Sequence, residues 1–304
     1  MNRISVLSFS LFLTTSLLFG YRISAQSVPD RFILSRLPHE KTLQKDLEVL
    51  LTADKWGAQI SPDGKKLAIT RSFSGTNELW VCDIDGSNLQ KLTSLNGPGA
   101  GTSRWSPDGK WIAFDVNWSN HGKIFMVSSQ GGPVREIAPD ASNHLVPNWS
   151  HDGKWIYFAS DSSGEWQVWK ASVSSGQSVQ VTHQGGFAAA ESPDGAFVYY
   201  SKHRYPNPEV WRVPVGGDSE EMVSPLVRPM TWADWSVSSE GIYFVGEDES
   251  KPLLEYFDFA STSVAKVAEL ANPSFSLSLS PDGHLVVCAG KNWRNTSSPG
   301  VSPS

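Results

Sequence analysis

The chain is poor in cysteine, in clustered positive charge and in catalytic motifs, and each shortage narrows its character. Only two cysteines, Cys82 and Cys288, occur in 304 residues. No disulfide framework therefore organises the fold. Both are read as small buried hydrophobes, with pairing between neighbouring repeats as the alternative. No block of Lys or Arg stands anywhere and the formal net charge is −6, so a phosphate-tracking surface for nucleic acid is not expected. The nucleophile elbow G-x-S-x-G is missing, and the seven histidines show no metal-ligand spacing. The Gly97–Ser103 stretch "GPGAGTS" lacks the Lys-Ser/Thr ending of a phosphate loop and leads into a strand pattern. No catalytic residue, cofactor or metal is expected.

Apolar material is plentiful: 39% of residues are hydrophobic, with 13 Trp and 14 Phe. Such a composition suits a folded globular protein. The N-terminus reads differently. Arg3 precedes Ile4 to Tyr21, apolar and free of charge, and Ile23 and Ala25 offer small-residue cleavage positions. Residues 1–25 are read as a signal peptide, or else an N-terminal anchor, which puts the rest in the periplasm or outside the cell. Beyond Tyr21 no apolar run is long enough to span a bilayer.

From residue 47 the text repeats. "SPDG" opens at Ser61, Ser106, Ser192 and Ser280, "SHDG" at Ser150, and a degenerate "SVSSEG" at Ser236. Successive spacings are 45, 44, 42, 44 and 44 residues. Pro presets φ for the turn, Asp tolerates the bridge region, and Gly supplies a positive φ. A strand-like run follows each turn ("KLAI", "WIAF", "WIYF", "FVYY", "IYF", "LVV"). A second Gly turn and a fourth strand complete each unit. Four short antiparallel strands per unit at this period define a propeller blade. The expectation is an all-β, six-bladed β-propeller over residues 47–290, with residues 26–46 as a linker and 291–304 as a disordered or aberrant tail.

Ring closure falls to the chain ends. Leu47 to Ala53, "LEVLLTA", has the look of a fourth strand and no opening turn, so it is expected to close the last blade from the N-terminus. That blade shows only two strands of its own before "KNWRNTSSPGVSPS". It is expected to lack its third strand, through truncation or a frameshift, or else to borrow Phe32 to Leu37.

The units "WSPDGKWIAFD" and "NWSHDGKWIYFASDSSGEWQVWK" resemble the TolB-type, WD-repeat-like propeller family, over Leu47 to Ala289. The resemblance implies the fold and an interaction or sensor role. It brings no shared catalytic residues, and fold alone does not give function. The α/β domain that TolB itself carries before its propeller has no counterpart in this text. A monomeric binder of a protein or peptide is the expectation; the alternatives are a glycan lyase or hydrolase with its site at the channel, and a sensor fragment without independent function.

Candidate site residues come from geometry. Innermost strands converge on a central channel, and the positions just before each turn hold Gln59, Arg104, Asn148, Asp234 and Ser278. Glu191 is added because it is a carboxylate where other units keep an apolar residue. Arg104 is expected to be compensated by Asp234 or Glu191. The turn aspartates Asp63, Asp108, Asp152, Asp194 and Asp282 are read as turn formers, not ligands.

Overall fold

The computed structural model describes residues 33–35, 48–52 and 58–290, with short breaks at 74–75, 119–120, 206–207, 218, 249–250, 271–272, 282 and 284. The proposed signal peptide and the tail lie outside the described residues, where strands, turns and connecting loops make up the whole structure.

The last sheet of the ring takes β1 (Ile33–Ser35) and β2 (Glu48–Thr52) from the N-terminal side. Blade 1 is β3 (Ala58–Ile60), β4 (Lys66–Phe73), β5 (Thr76–Asp83) and β6 (Gln90–Lys91). Blade 2 is β7 (Ala100–Trp105), β8 (Trp111–Trp118), β9 (His121–Ser128) and β10 (Arg135–Ile137). Blade 3 is β11 (His144–Trp149), β12 (Trp155–Ser160), β13 (Gln167–Ser172) and β14 (Ser178–Gln180). Blade 4 is β15 (Phe187–Glu191), β16 (Phe197–Ser201), β17 (Val210–Pro214) and β18 (Glu221–Met222). Blade 5 is β19 (Trp235–Val237), β20 (Gly241–Asp248), β21 (Lys251–Asp258) and β22 (Val264–Glu269). The chain ends with β23 (Pro273–Leu279) and β24 (Leu285–Gly290). First strands touch in the order β3, β7, β11, β15, β19, β23 and back to β3, which closes the circle.

Five blades are four-stranded and antiparallel, not the six expected. The sixth sheet runs β1-β2-β24-β23 and is mixed, because β2 lies parallel to β24 from Glu48 beside Leu285 to Thr52 beside Ala289. The expected fourth strand therefore occupies the third place, and β1, inside the segment read as a linker, takes the fourth. The sheet has no missing strand. A hairpin leaving β24 would have to run antiparallel, whereas a strand arriving from the far end of the sequence has no tight turn to dictate its direction. Its backbone groups satisfy the exposed edge of β24 equally well.

The turn chemistry repeats atom for atom. Ser61 Oγ donates to Asp63 Oδ1 at 2.6 Å and accepts from Lys66 N at 2.8 Å. The same pair recurs at Ser106 with Asp108, Ser150 with Asp152 and Ser192 with Asp194. Donation from Lys154 N and Ser150 Oγ holds the Asp152 carboxyl down to about 2. Gly64, Gly109, Gly153 and Gly195 close these turns at φ between 69° and 71°, a region only Gly enters freely.

The core lies between blades. Leu79 and Val81 of blade 1 pack with Trp105, Ile112 and Phe114 of blade 2, and Tyr157 and Val168 of blade 3 with Val198 and Tyr200 of blade 4. Val287 closes the ring against Ala58, Ile69 and the buried Cys82. The side chain of Cys288 lies outside the described residues. Hydrogen bonds stitch the same seams. Trp105 Nε1 donates to Gln59 O at 3.0 Å, Trp149 Nε1 to Arg104 O at 3.1 Å, and Trp235 Nε1 to Ser201 Oγ at 2.9 Å. Each indole before the turn reaches back to the preceding blade.

Trp105→Phe removes one such bond between blades and leaves a small void. It should cost about 2–3 kcal/mol, read as a lower urea midpoint at unchanged slope. Trp111→Phe, at a side chain 40% exposed, should stay within about 0.5 kcal/mol.

Candidate functional site

A central cavity of about 230 Å³ is walled by residues from the first strands of all six sheets. Gln59, Arg104, Asn148, Glu191 and Ser278 stand on its wall. Three of them are occupied by bonds between sheets. Gln59 Nε2 donates to Ser276 Oγ at 3.4 Å, Asn148 Nδ2 to Ala189 O at 2.9 Å, and Ser278 Oγ accepts from Ile60 N at 3.2 Å. Arg104 and Glu191 are the charged residues of the wall.

Asp234 is placed differently. Its side chain turns behind the wall, where Oδ1 accepts from Ser276 N at 3.1 Å. The register of β23 against β24 shifts between Ser274 and Leu277, and Ser276 sits in that bulge at φ 111°. The carboxylate thus captures an amide that the ladder leaves unpaired. Blade 3 uses the same device. Val146, in the bulge of β11 at φ 54°, gives its N–H to Asp115 Oδ2 at 3.2 Å. A β-branched residue in this region is strained, and the carboxylate helps hold it there. Thr102 Oγ1 donates to Asp115 Oδ1 at 3.0 Å. A Cβ on Gly101 would collide with this carboxylate, so only Gly leaves it room.

Asp115 corrects the expected charge balance. Among the described residues no carboxylate forms an ion pair with Arg104; its Nη1 donates to Ser103 O at 2.8 Å. Burial pushes the guanidinium down to about 10, and Asp115, not Asp234 or Glu191, supplies the opposing field. Burial also raises the Asp115 carboxyl. The sequence signal was an Asp nine residues after Ser106, where the other regular units carry Thr70, Ala159 and Ser201.

On the face opposite the Ser-opened turns, an aromatic ladder borders the cavity. Trp166 meets Phe187 edge-on at 5.4 Å, and Phe187 meets Trp232 at 5.3 Å. Trp232, part of the cavity wall, donates through Nε1 to Tyr205 Oη at 3.1 Å. Arg204 lies over the Phe187 ring at 5.2 Å, and Tyr205 is 52% exposed. None of these was singled out from sequence. Trp232 takes the place four residues before the turn, where Val146, Ala188 and Ser276 stand in their blades.

A closed ring of four-stranded antiparallel blades around a polar cavity is a β-propeller. Residues 58–227, more than half of the chain, match the TolB beta propeller domain family, and the chain belongs to it. The fold is similar to that of putative TolB from Agrobacterium tumefaciens, at 22% identity and a TM-score of 0.61, over 75% of this chain and 86% of that one. TolB from Acinetobacter baumannii is 18% identical with a TM-score of 0.62, over 77% of this chain and 57% of its own length. An oligogalacturonate lyase in complex with manganese shares the fold at 14% identity and a TM-score of 0.56, over 81% of this chain and 73% of that one. No curated protein matches the sequence.

Burial pushes the Asp234 carboxyl up to about 6. A raised carboxyl binds its proton more tightly folded than unfolded, so its contribution is full below about pH 4 and is lost as pH rises through about 6. The difference, about two units, corresponds to roughly 3 kcal/mol at most. Asp234→Asn keeps an acceptor for Ser276 N and removes the buried charge. Urea unfolding at pH 8 should show it more stable than the parent by about 1–2 kcal/mol, with the gap closing toward pH 4.

Proposed function

We propose that the protein is an exported, non-catalytic propeller that binds a protein or peptide partner and acts as a monomer in the periplasm or outside the cell. The observation that carries this reading is the exposed Tyr205, flanked by Arg204 and braced by the buried Trp232, which packs edge-on against Phe187 beside the cavity. Aromatic and Arg side chains on a rigid support dominate the energetics of protein interfaces, because they bury large areas at little entropic cost. Leu226 and Met230, both exposed in the loop from blade 4 to blade 5, extend the apolar character. The family supports an interaction role, and TolB-named structures stand among the similar folds.

A glycan lyase or hydrolase is the rival, and a lyase shares the fold. Against it, no group of three His, Cys, Asp or Glu suited to a metal exists among the described residues. Arg104 and Glu191 form no ion pair that would suggest an acid–base couple. The fragment reading loses its motive, since the sixth sheet holds four strands.

A photo-crosslinking side chain at position 205, exposed to an extracytoplasmic extract, should trap one discrete partner. The same group at position 111, on the Ser-turn side, should trap none. Equal trapping at both positions, or none at 205, would sink the reading, as would turnover of oligosaccharides by the purified chain.

A further inference from the structure

Blade 4 holds three cations over aromatic rings, and two of them also hold a carboxylate. Lys202 Nζ lies 4.1 Å from the centre of the Trp211 ring and 3.2 Å from Glu220 Oε2. Arg212 lies 4.6 Å from the Phe197 ring, and its Nε donates to Glu221 Oε1 at 2.7 Å. Arg204 is the third. Its guanidinium stands 5.2 Å from the Phe187 ring and 5.9 Å from the Tyr205 ring. Among the described residues it makes no hydrogen bond and no ion pair.

A guanidinium stacked on aromatic rings keeps the N–H groups along its edge available. That planar fork matches a carboxylate through two parallel bonds. The neighbouring loops do not supply one. Glu209, at the other end of the same turn, is engaged by Trp211 Nε1 at 2.9 Å, and Glu220 is taken by Tyr200, Lys202 and His183 N. Glu165, exposed on blade 3, forms no ion pair with Arg204.

A second cation stands on the same face. Arg228 is exposed in the loop from blade 4 to blade 5, where its Nε donates to Pro225 O at 2.8 Å. It too forms no ion pair among the described residues. The exposed Leu226 and Met230 flank it in sequence. Two arginines without counter-ions, set among apolar side chains, contrast with a chain whose net charge is −6.

We infer that the segment docking on this face is an acidic peptide, with one carboxylate seated on the Arg204 fork, another drawn by Arg228, and apolar side chains covering Tyr205, Leu226 and Met230. The inference rests on the recognition face proposed above and adds the chemistry of what binds there. A uniformly charged polyanion fits less well, because the apolar side chains would stay uncovered and the acidic remainder of the chain would repel it.

The probe is a display library of random short peptides, panned on the purified chain, with oligogalacturonate as the comparison polyanion. Selected peptides should be enriched in Asp and Glu alongside an apolar residue. A synthetic copy of the best one should lose about tenfold in affinity in Arg204→Gln and more in a chain carrying both Arg204→Glu and Arg228→Glu. Its binding should also weaken as salt rises from about 50 to about 500 mM. Lys110→Glu, an equal change of charge on the Ser-turn face where that side chain is 77% exposed, should leave affinity unchanged. Circular dichroism checks that each variant is folded. Selected peptides that are neutral or basic, yet lose binding in Tyr205→Ala, would overturn the acidic partner and leave the recognition face standing. Peptides indifferent to Tyr205→Ala, no enrichment at all, or binding of oligogalacturonate in place of peptide would overturn both.

Discussion

Everything in this molecule depends on one constraint: a four-stranded blade has two apolar faces and cannot cover either by itself. Tyr200 and Phe114 are wholly buried, yet each lies in a cluster shared by two blades. Burial of such side chains, at roughly 1.5–3 kcal/mol each, becomes available only when a neighbour docks. The ring follows because the last neighbour has to be the first blade. Indole bonds such as Trp149 to Arg104 O set how closely adjacent first strands approach, and hence how much space is left in the middle.

That dependence explains why the sequence was legible in some places and silent in others. Turn chemistry is local. Ser, Asp and Gly do their work within five residues, as in the bonds among Ser61, Asp63 and Lys66, so their spacing announced the four-stranded antiparallel blade directly, while the count of six such blades overreached by one. The sixth sheet is non-local. Nothing in "LEVLLT" declares whether it will run parallel or antiparallel, because no hairpin connects β2 to β24. Direction was settled by the open edge of β24, which a reader of the sequence cannot see.

The site was legible to the same extent. Alternation along a strand placed Gln59, Arg104, Asn148 and Ser278 toward the axis, and they stand on the cavity wall. Asp234 had the right position by count, but its blade begins its first strand late, at Trp235, and the side chain turns to Ser276 instead. Bulges were invisible as well. They leave single amides unpaired, and the two carboxylates that capture them, Asp115 and Asp234, come from the preceding blade. A residue that serves its neighbour's backbone leaves no mark in its own repeat except as a departure from the pattern.

Departures are therefore where this chain carries information beyond its fold. Asp115 replaces a small or hydroxyl residue and sets the field at Arg104. Trp232 replaces a small bulge residue and anchors the aromatic ladder. Glu191 replaces an indole and brings an acceptor to His151 N and the Tyr157 phenol. The first repairs a strained backbone, so its presence is accounted for by stability. The other two are also tied into the ring: Trp232 packs in the core edge-on to Phe187 and its indole N–H reaches the exposed Tyr205, and Glu191 receives His151 N beside the Tyr157 phenol. Of the three, the Trp232 departure is the one that leads to solvent, through the exposed Tyr205, and the proposed recognition rests on it.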